Sequence, residues 1–135
     1  MRIETFQFHQ REDETGILVF LEATRDIPFE IKRVYYIYGV QNASRRGFHA
    51  HKVLQQALIC IHGSCKVMLD DGTEHVDITM DDPSIGLYIG NSVWREMYDF
   101  SSDAVVLVLA SELYDEQDYI RDYDQFLDYL REKTI

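Results

Sequence analysis

Residues 46–72, RGFHAHKVLQQALICIHGSCKVMLDDG, carry two histidines one residue apart, His49 and His51, in a segment that reads as strand. Side chains alternate across a strand, so both imidazoles point to one side and Ala50 to the other. If that side is the inside of a barrel, the two rings share a pocket. Arg46, three residues before His49, then stands at the pocket mouth, where a cation can hold an anionic ligand, and Gly47 lets the backbone pass close by. Further along, Gly63 and the Asp70-Asp71-Gly72 triplet interrupt the apolar runs, and the Asp-Gly pair suits the positive φ of a tight turn.

Upstream, residues 29–40, FEIKRVYYIYGV, are rich in β-branched and aromatic side chains and predict a strand. One face takes Ile31, Arg33, Tyr35 and Ile37, the other Lys32, Val34, Tyr36 and Tyr38. Both carry polar groups, so parity leaves open which is internal. Residues 17–23, ILVFLEA, have the apolar density of a buried strand, and Ile3, Phe6 and Phe8 mark an edge strand ahead of a charged turn at 11–14. Downstream, residues 74–80 alternate, 85–89 make a short apolar strand around Gly86, 91–96 bring in Trp94 and Arg95, and 104–110, AVVLVLA, are apolar throughout. Strands recur about every eight to twelve residues with turn signals between them, which predicts an all-β sandwich or barrel.

The tail breaks this pattern. Asp124 is expected to cap a C-terminal helix on which Phe126, Leu127 and Leu130 form an apolar stripe, with Arg131 and Lys133 in the last turn, where the dipole favours cations. The acidic, tyrosine-rich residues 114–123 before it read as a solvated connector. No repeat, low-complexity tract or linker composition divides the chain, so residues 1–135 are read as one domain.

Charge narrows the function. A formal net charge of −11 argues against a nucleic-acid surface, because phosphate backbones need a basic face. A small phosphorylated ligand stays open: Arg33, Arg45, Arg46, Lys52 and Lys66 all fall between residues 33 and 66. The N-terminus is charged from its second residue and no apolar run approaches about 18 residues, so neither a signal peptide nor a membrane span is expected and a cytoplasmic protein is. In a reducing compartment Cys60 and Cys65 are expected to be free thiols packed as small hydrophobes.

The histidine strand resembles the first motif of the cupin barrel, a small jelly roll: His-x-His, three or four residues, Glu, six residues, Gly. Here four residues separate His51 from Gln56 and six separate Gln56 from Gly63. In metal-binding cupins the Glu is a ligand and a second motif supplies another His. This chain has Gln56 at the first position and Arg95 near the second. An amide is a weak ligand and a guanidinium is none, so no bound metal is expected. The RGFH stretch also resembles the Arg-Gly-Leu-His of dTDP-sugar 3,5-epimerases. Those enzymes place a Lys seven residues before the turn glycine, where this chain has Gln56, and that counts against their reaction.

A broader resemblance covers nearly the whole chain. IPFEIKRVYYIY, RGFHAHK, GSCKVMLDDG, GLYIGNSVW, DFSSDAVVLVLAS and YDEQDYIRDYDQF, in that order, resemble the family of 3,4-ketoisomerases acting on dTDP-4-keto-6-deoxy-glucose. The resemblance implies a single cupin jelly roll with a short C-terminal helix, a homodimer, and a cytoplasmic role in making 3-amino-3,6-dideoxy sugars. It implies that His51 removes the C3 proton and that His49 is its partner. Arg33, Arg46 and Lys66 become candidates for the diphosphate and the enolate charge, and Tyr35 and Gln56 for hydrogen bonds to sugar or base. Arg95 occupies a position that varies with product configuration and leans towards the gluco product. No cofactor is needed, since oxidation and reduction occur within one molecule. A dTDP-sugar epimerase on the same fold and a non-catalytic sugar-nucleotide-binding domain are the alternatives.

Overall fold

The computed structural model describes residues 1–41 and 43–134. Two antiparallel five-stranded sheets pack face to face. The first, in spatial order, is β1 (Thr5–Gln7), β9 (Ile85–Ile89), β6 (Gln56–His62), β11 (Val105–Ala110) and β4 (Arg33–Tyr38). The second is β12 (Tyr119–Ile120), β5 (Arg46–His51), β10 (Trp94–Tyr98), β7 (Cys65–Asp70) and β8 (His75–Met80). From β4 to β12 the chain changes sheet at every connection except the β7–β8 hairpin, the winding of a jelly roll.

Alternation sets what each sheet presents to the interior. β7 buries Cys65, Val67 and Leu69 and turns Lys66, Met68 and Asp70 the other way. Tyr35 and Ile37 of β4 pack against the core while Val34, Tyr36 and Tyr38 are exposed, which settles the parity the sequence left open. The core between the sheets is built from residues such as Leu58, Cys60, Val67, Leu87, Val106 and Val108. Phe8, Ile27 and Phe29 cover the outer face of the first sheet over Ala57, Ile59 and Leu109.

The outer face of the second sheet is covered by helix α1 (Tyr123–Lys133), whose Phe126 is fully buried against Ala50, Trp94 and Ile120. Burying such a ring stabilises the fold by roughly 1.5–3 kcal/mol. Ala50 faces the helix, so its neighbours His49 and His51 face the interior.

Two expectations are corrected. Asp122, not Asp124, caps the helix, its extended backbone leaving the carboxylate to accept from the Gln125 N–H at 3.0 Å. The helix starts early because the Tyr123 ring is held edge-on to Trp94 and its hydroxyl donates to Asp70. Residues 17–23 are not a buried strand. β3 (Gly16–Phe20) pairs only with the charged β2 (His9–Asp13), and Ile17 and Leu18 are 60% and 56% exposed. Apolar density favours burial, but this hairpin stands outside both five-stranded sheets.

Candidate active site

The inward faces of β4 and β5 meet at one end of the barrel around a cavity of about 300 Å³. β4 contributes Arg33, Tyr35 and Ile37; β5 contributes Arg46, Gly47 and His49; Met97 of β10 and Tyr114, Tyr119 and Arg121 complete it. Gly47 is required where it stands. Its φ is +97°, and a Cβ there would lie 2.8 Å from the Arg95 carbonyl oxygen on the neighbouring strand.

The two imidazoles lie edge to face with centroids 5.0 Å apart. His49 Nδ1 is 3.0 Å from the Gly47 carbonyl oxygen. A carbonyl only accepts, so Nδ1 carries the hydrogen and Nε2 is left with a lone pair. His51 Nδ1 is 3.0 Å from Asp118 Oδ2, which by the same reasoning leaves its Nε2 bare, and that atom is buried without a protein partner. Burial, reinforced by the Arg95 guanidinium, pulls the His49 pKa down to about 4 and that of His51 to about 2. Both rings are therefore neutral at pH 7, each with a lone pair on Nε2.

Behind them, Arg95 is buried, and no carboxylate among the described residues pairs with it. It donates through Nη1 to Gln56 Oε1 and through Nη2 to the Val93 carbonyl at 3.1 Å, while its Nε has no partner. Burial lowers its pKa to about 10, which leaves it charged at neutral pH. Gln56 passes the network on, donating from Nε2 to the Tyr35 hydroxyl at 3.0 Å, and burial raises the pKa of that phenol. Arg33, flanked by the Tyr35 and Tyr114 rings, keeps Nε and Nη2 buried and unpaired. Buried donors left unsatisfied cost about 1–3 kcal/mol each, so several at one cavity mark a place meant for a polar, electron-rich ligand.

The cavity is closed by residues 114–121. Asp118 ends a short 3₁₀ turn, and the two-residue β12 pairs with β5, Tyr119 opposite His51 and Ile120 opposite Ala50. The Tyr119 ring lies 5.1 Å from His49 and 4.3 Å from His51. Arg121 stacks over it at 4.2 Å and holds Glu116 through Nε and Nη2, which draws the Glu116 pKa to about 2.

Residues 1–131 match the family described as FdtA, WxcM-like, C-terminal. The chain is 53% identical over 130 residues to the TDP-4-oxo-6-deoxy-alpha-D-glucose-3,4-oxoisomerase of Aneurinibacillus thermoaerophilus, spanning 96% of this chain and 94% of that protein. It belongs to the sugar 3,4-ketoisomerase family. Among ketoisomerases of known structure, QdtA of Thermoanaerobacterium thermosaccharolyticum in complex with TDP superposes with a TM-score of 0.95 at 49% identity, covering 98% of this chain and 97% of that one. A QdtA variant in complex with TDP-4-keto-6-deoxyglucose matches at 0.94 over 97% and 95% of the two chains, again at 49% identity. WlaRB of Campylobacter jejuni, a TDP-quinovose 3,4-ketoisomerase, matches at 0.89 and 48% identity over 93% and 97%.

In this ketoisomerase-family chain His49, Arg33, Tyr35 and Arg46 line the cavity, and His51, Gln56 and Arg95 lie behind it. Lys66 does not join them. β7 turns it away from the core, where it pairs with Asp99 at 3.4 Å on the surface. Residues 114–123, expected as a solvated connector, supply Tyr114, Asp118, Tyr119 and Arg121 to the site. Ile120 between two polar neighbours was the one available signal, and a two-residue strand is too short to show a period.

Proposed function

We propose that this protein is a 3,4-ketoisomerase that converts dTDP-4-keto-6-deoxy-glucose to the 3-keto-6-deoxy sugar through an enediol. The observation that carries this reading is His49: a neutral imidazole on the cavity wall, its hydrogen held on Nδ1 by a backbone carbonyl and its Nε2 lone pair free, beside a buried guanidinium. The C4 carbonyl makes the C3 hydrogen acidic. His49 Nε2 takes that proton, the C–H electron pair becomes the C3–C4 double bond, and the carbonyl pair moves onto O4 as an enolate. The neighbouring charge of Arg95 stabilises that oxyanion, an electrostatic contribution that is largest in a dry site. A proton then passes from O3 to O4, C4 takes a proton from solvent while His49 releases the one it took, and the C3 carbonyl forms, so the product is an isomer of the substrate with no net electron change. His51 is assigned to the transfer between the two oxygens, through an intervening water because it lies behind the cavity wall. This reverses the order implied by the resemblance, because His49 lines the cavity and His51 lies behind it.

Arg33 and Arg46 are assigned to the diphosphate, the first with two unspent donors and the second exposed at the rim. Gln56 is better read as orienting Arg95 and Tyr35 than as touching the ligand, since its oxygen and nitrogen are both engaged. That engagement also disfavours an epimerase. A gluco product is supported by Arg95 and by the likeness to an enzyme named for quinovose, the 6-deoxy form of glucose. It requires C4 to be protonated on the face opposite the one C3 leaves from, since the hydrogens at C3 and C4 of a gluco sugar are trans. A homodimer is supported by the exposed apolar side chains Val34, Tyr36 and Tyr38 on β4 and Ile17 and Leu18 on β3. A cytoplasmic place in 3-amino sugar synthesis completes the reading.

Proton NMR of dTDP-4-keto-6-deoxy-glucose incubated with the protein in deuterated water tests the reaction. A new 3-keto sugar bearing deuterium at C4, with gluco coupling constants, is the expected result. Exchange confined to C5 would indicate an epimerase, and binding without turnover a non-catalytic domain.

A further inference from the structure

His51 is completely buried, and the charged groups that face it are mostly of one sign. The charges of Arg95 on β10, Arg33 on β4 and Arg121 in the closing segment all act on it, with His49 on its own strand and the Tyr119 ring tilted beside it at 4.3 Å. For such a ring to carry a proton even briefly, an anion must be held against it. Asp118 is that anion, and it is fixed rather than mobile. Its Oδ1 accepts from the Val53 N–H at 2.8 Å and its Oδ2 from the Leu54 N–H at 3.3 Å, while its own carbonyl accepts from the Lys52 N–H at 3.0 Å. The remaining capacity of Oδ2 goes to His51 Nδ1.

We propose that Asp118 is a positioning residue that locks His51 in the Nδ1–H tautomer and compensates the imidazolium formed when its Nε2 takes the O3 proton of the enediol through that intervening water. The proton enters and leaves through Nε2, passing on to O4, so His51 returns to its starting tautomer each turnover. This rests on the ketoisomerase reading.

Asp118→Asn separates the two ideas. An asparagine has one acceptor oxygen; with that oxygen on the Val53 N–H, the shorter of the two backbone contacts, its amide nitrogen replaces Oδ2, gives up the Leu54 N–H and donates to His51 Nδ1, driving the ring to the Nε2–H tautomer and removing the free lone pair. Nitrogen-15 NMR of histidine-labelled protein is expected to show His51 protonated on Nδ1 in the wild type and on Nε2 in the variant. The variant's kcat is expected to fall by about 10²–10⁴-fold, the usual weight of a correctly placed acid–base group, with KM within about threefold. A purely structural aspartate would leave kcat per folded molecule and the tautomer unchanged, and that result overturns the proposal. If the variant does not fold, the wild-type spectrum decides: His51 found with its hydrogen on Nε2 rejects it. Failure of the wild type to isomerise the sugar would instead overturn the reaction assigned above, while the tautomer measurement still judges the role of Asp118.

Discussion

The two ends of the barrel interior are built by the same strands and do opposite things. β6 contributes Gln56 at one end and Leu58 and Cys60 towards the other; β11 runs from Ala110 beside Gln56 to Val108 and Val106 beside Leu58 and Cys60. At the apolar end the inward side chains bury hydrocarbon and, among the described residues, leave no buried side-chain polar atom unpaired. At the cavity end, two buried guanidiniums and His51 keep polar atoms without protein partners. A barrel tolerates such an end because the other one supplies the stability. The difference also separates substitutions that remove activity from those that remove the fold.

His49→Gln tests the polar end most directly. Turnover is expected to fall by about 10²–10⁴-fold in a steady-state assay while the melting temperature and dTDP affinity stay close to wild type, and near-normal turnover would remove the assigned base. Leu87→Ala, at the fully buried apolar end, is the converse: a loss of about 2–5 kcal/mol in urea unfolding, with activity per folded molecule retained. If the activity fell as steeply as the stability, the two ends would not be separable.

A smaller effect comes with pH. The folded-state pKa values of His49 and His51, about 4 and about 2, lie below the ordinary value of 6.5, so the unfolded chain binds these protons first. Stability is therefore full above about pH 6.5 and is lost as pH falls towards the folded-state values. The slope of melting temperature against pH between 6.5 and 5 is expected to flatten in His49→Gln and His51→Gln. An unchanged slope would mean that the rings are not held neutral by the site. Smallest of all is Lys66→Ala. An exposed pair with Asp99 contributes about 0–1 kcal/mol, so stability and KM should both stay nearly unchanged, and a large rise in KM would return Lys66 to the site.

Much of the site was legible in the chain because it rests on short-range periodicity. His49 and His51 share a face whatever the barrel does, and Gln56 and Gly63 follow at motif spacing. Three features were not legible. The inward face of β4 could not be chosen from a strand polar on both sides; pairing with β11 and packing of Tyr35 and Ile37 on the core chose it. The hairpin carrying Ile17 and Leu18 looked buried because apolar density measures the drive to leave water and does not name a partner surface. Asp118 gave no sign at all, being one aspartate in an acidic run.

The amino-acid sequence by itself determined most of the strands, the shared side of the two imidazoles, and the resemblance to cupin ketoisomerases in which Gln56 and Arg95 stand where metal-binding cupins carry ligands, all readable from residue type and near spacing. Only the tertiary structure decided which histidine meets the cavity, that Lys66 turns away, and that Asp118 reaches His51 across 67 positions of chain. The physical reason is that alternation orders neighbours along a strand, whereas a partner brought in by a two-residue strand is selected by the packing of Ile120 on Ala50 and Phe126, a contact that no local period encodes.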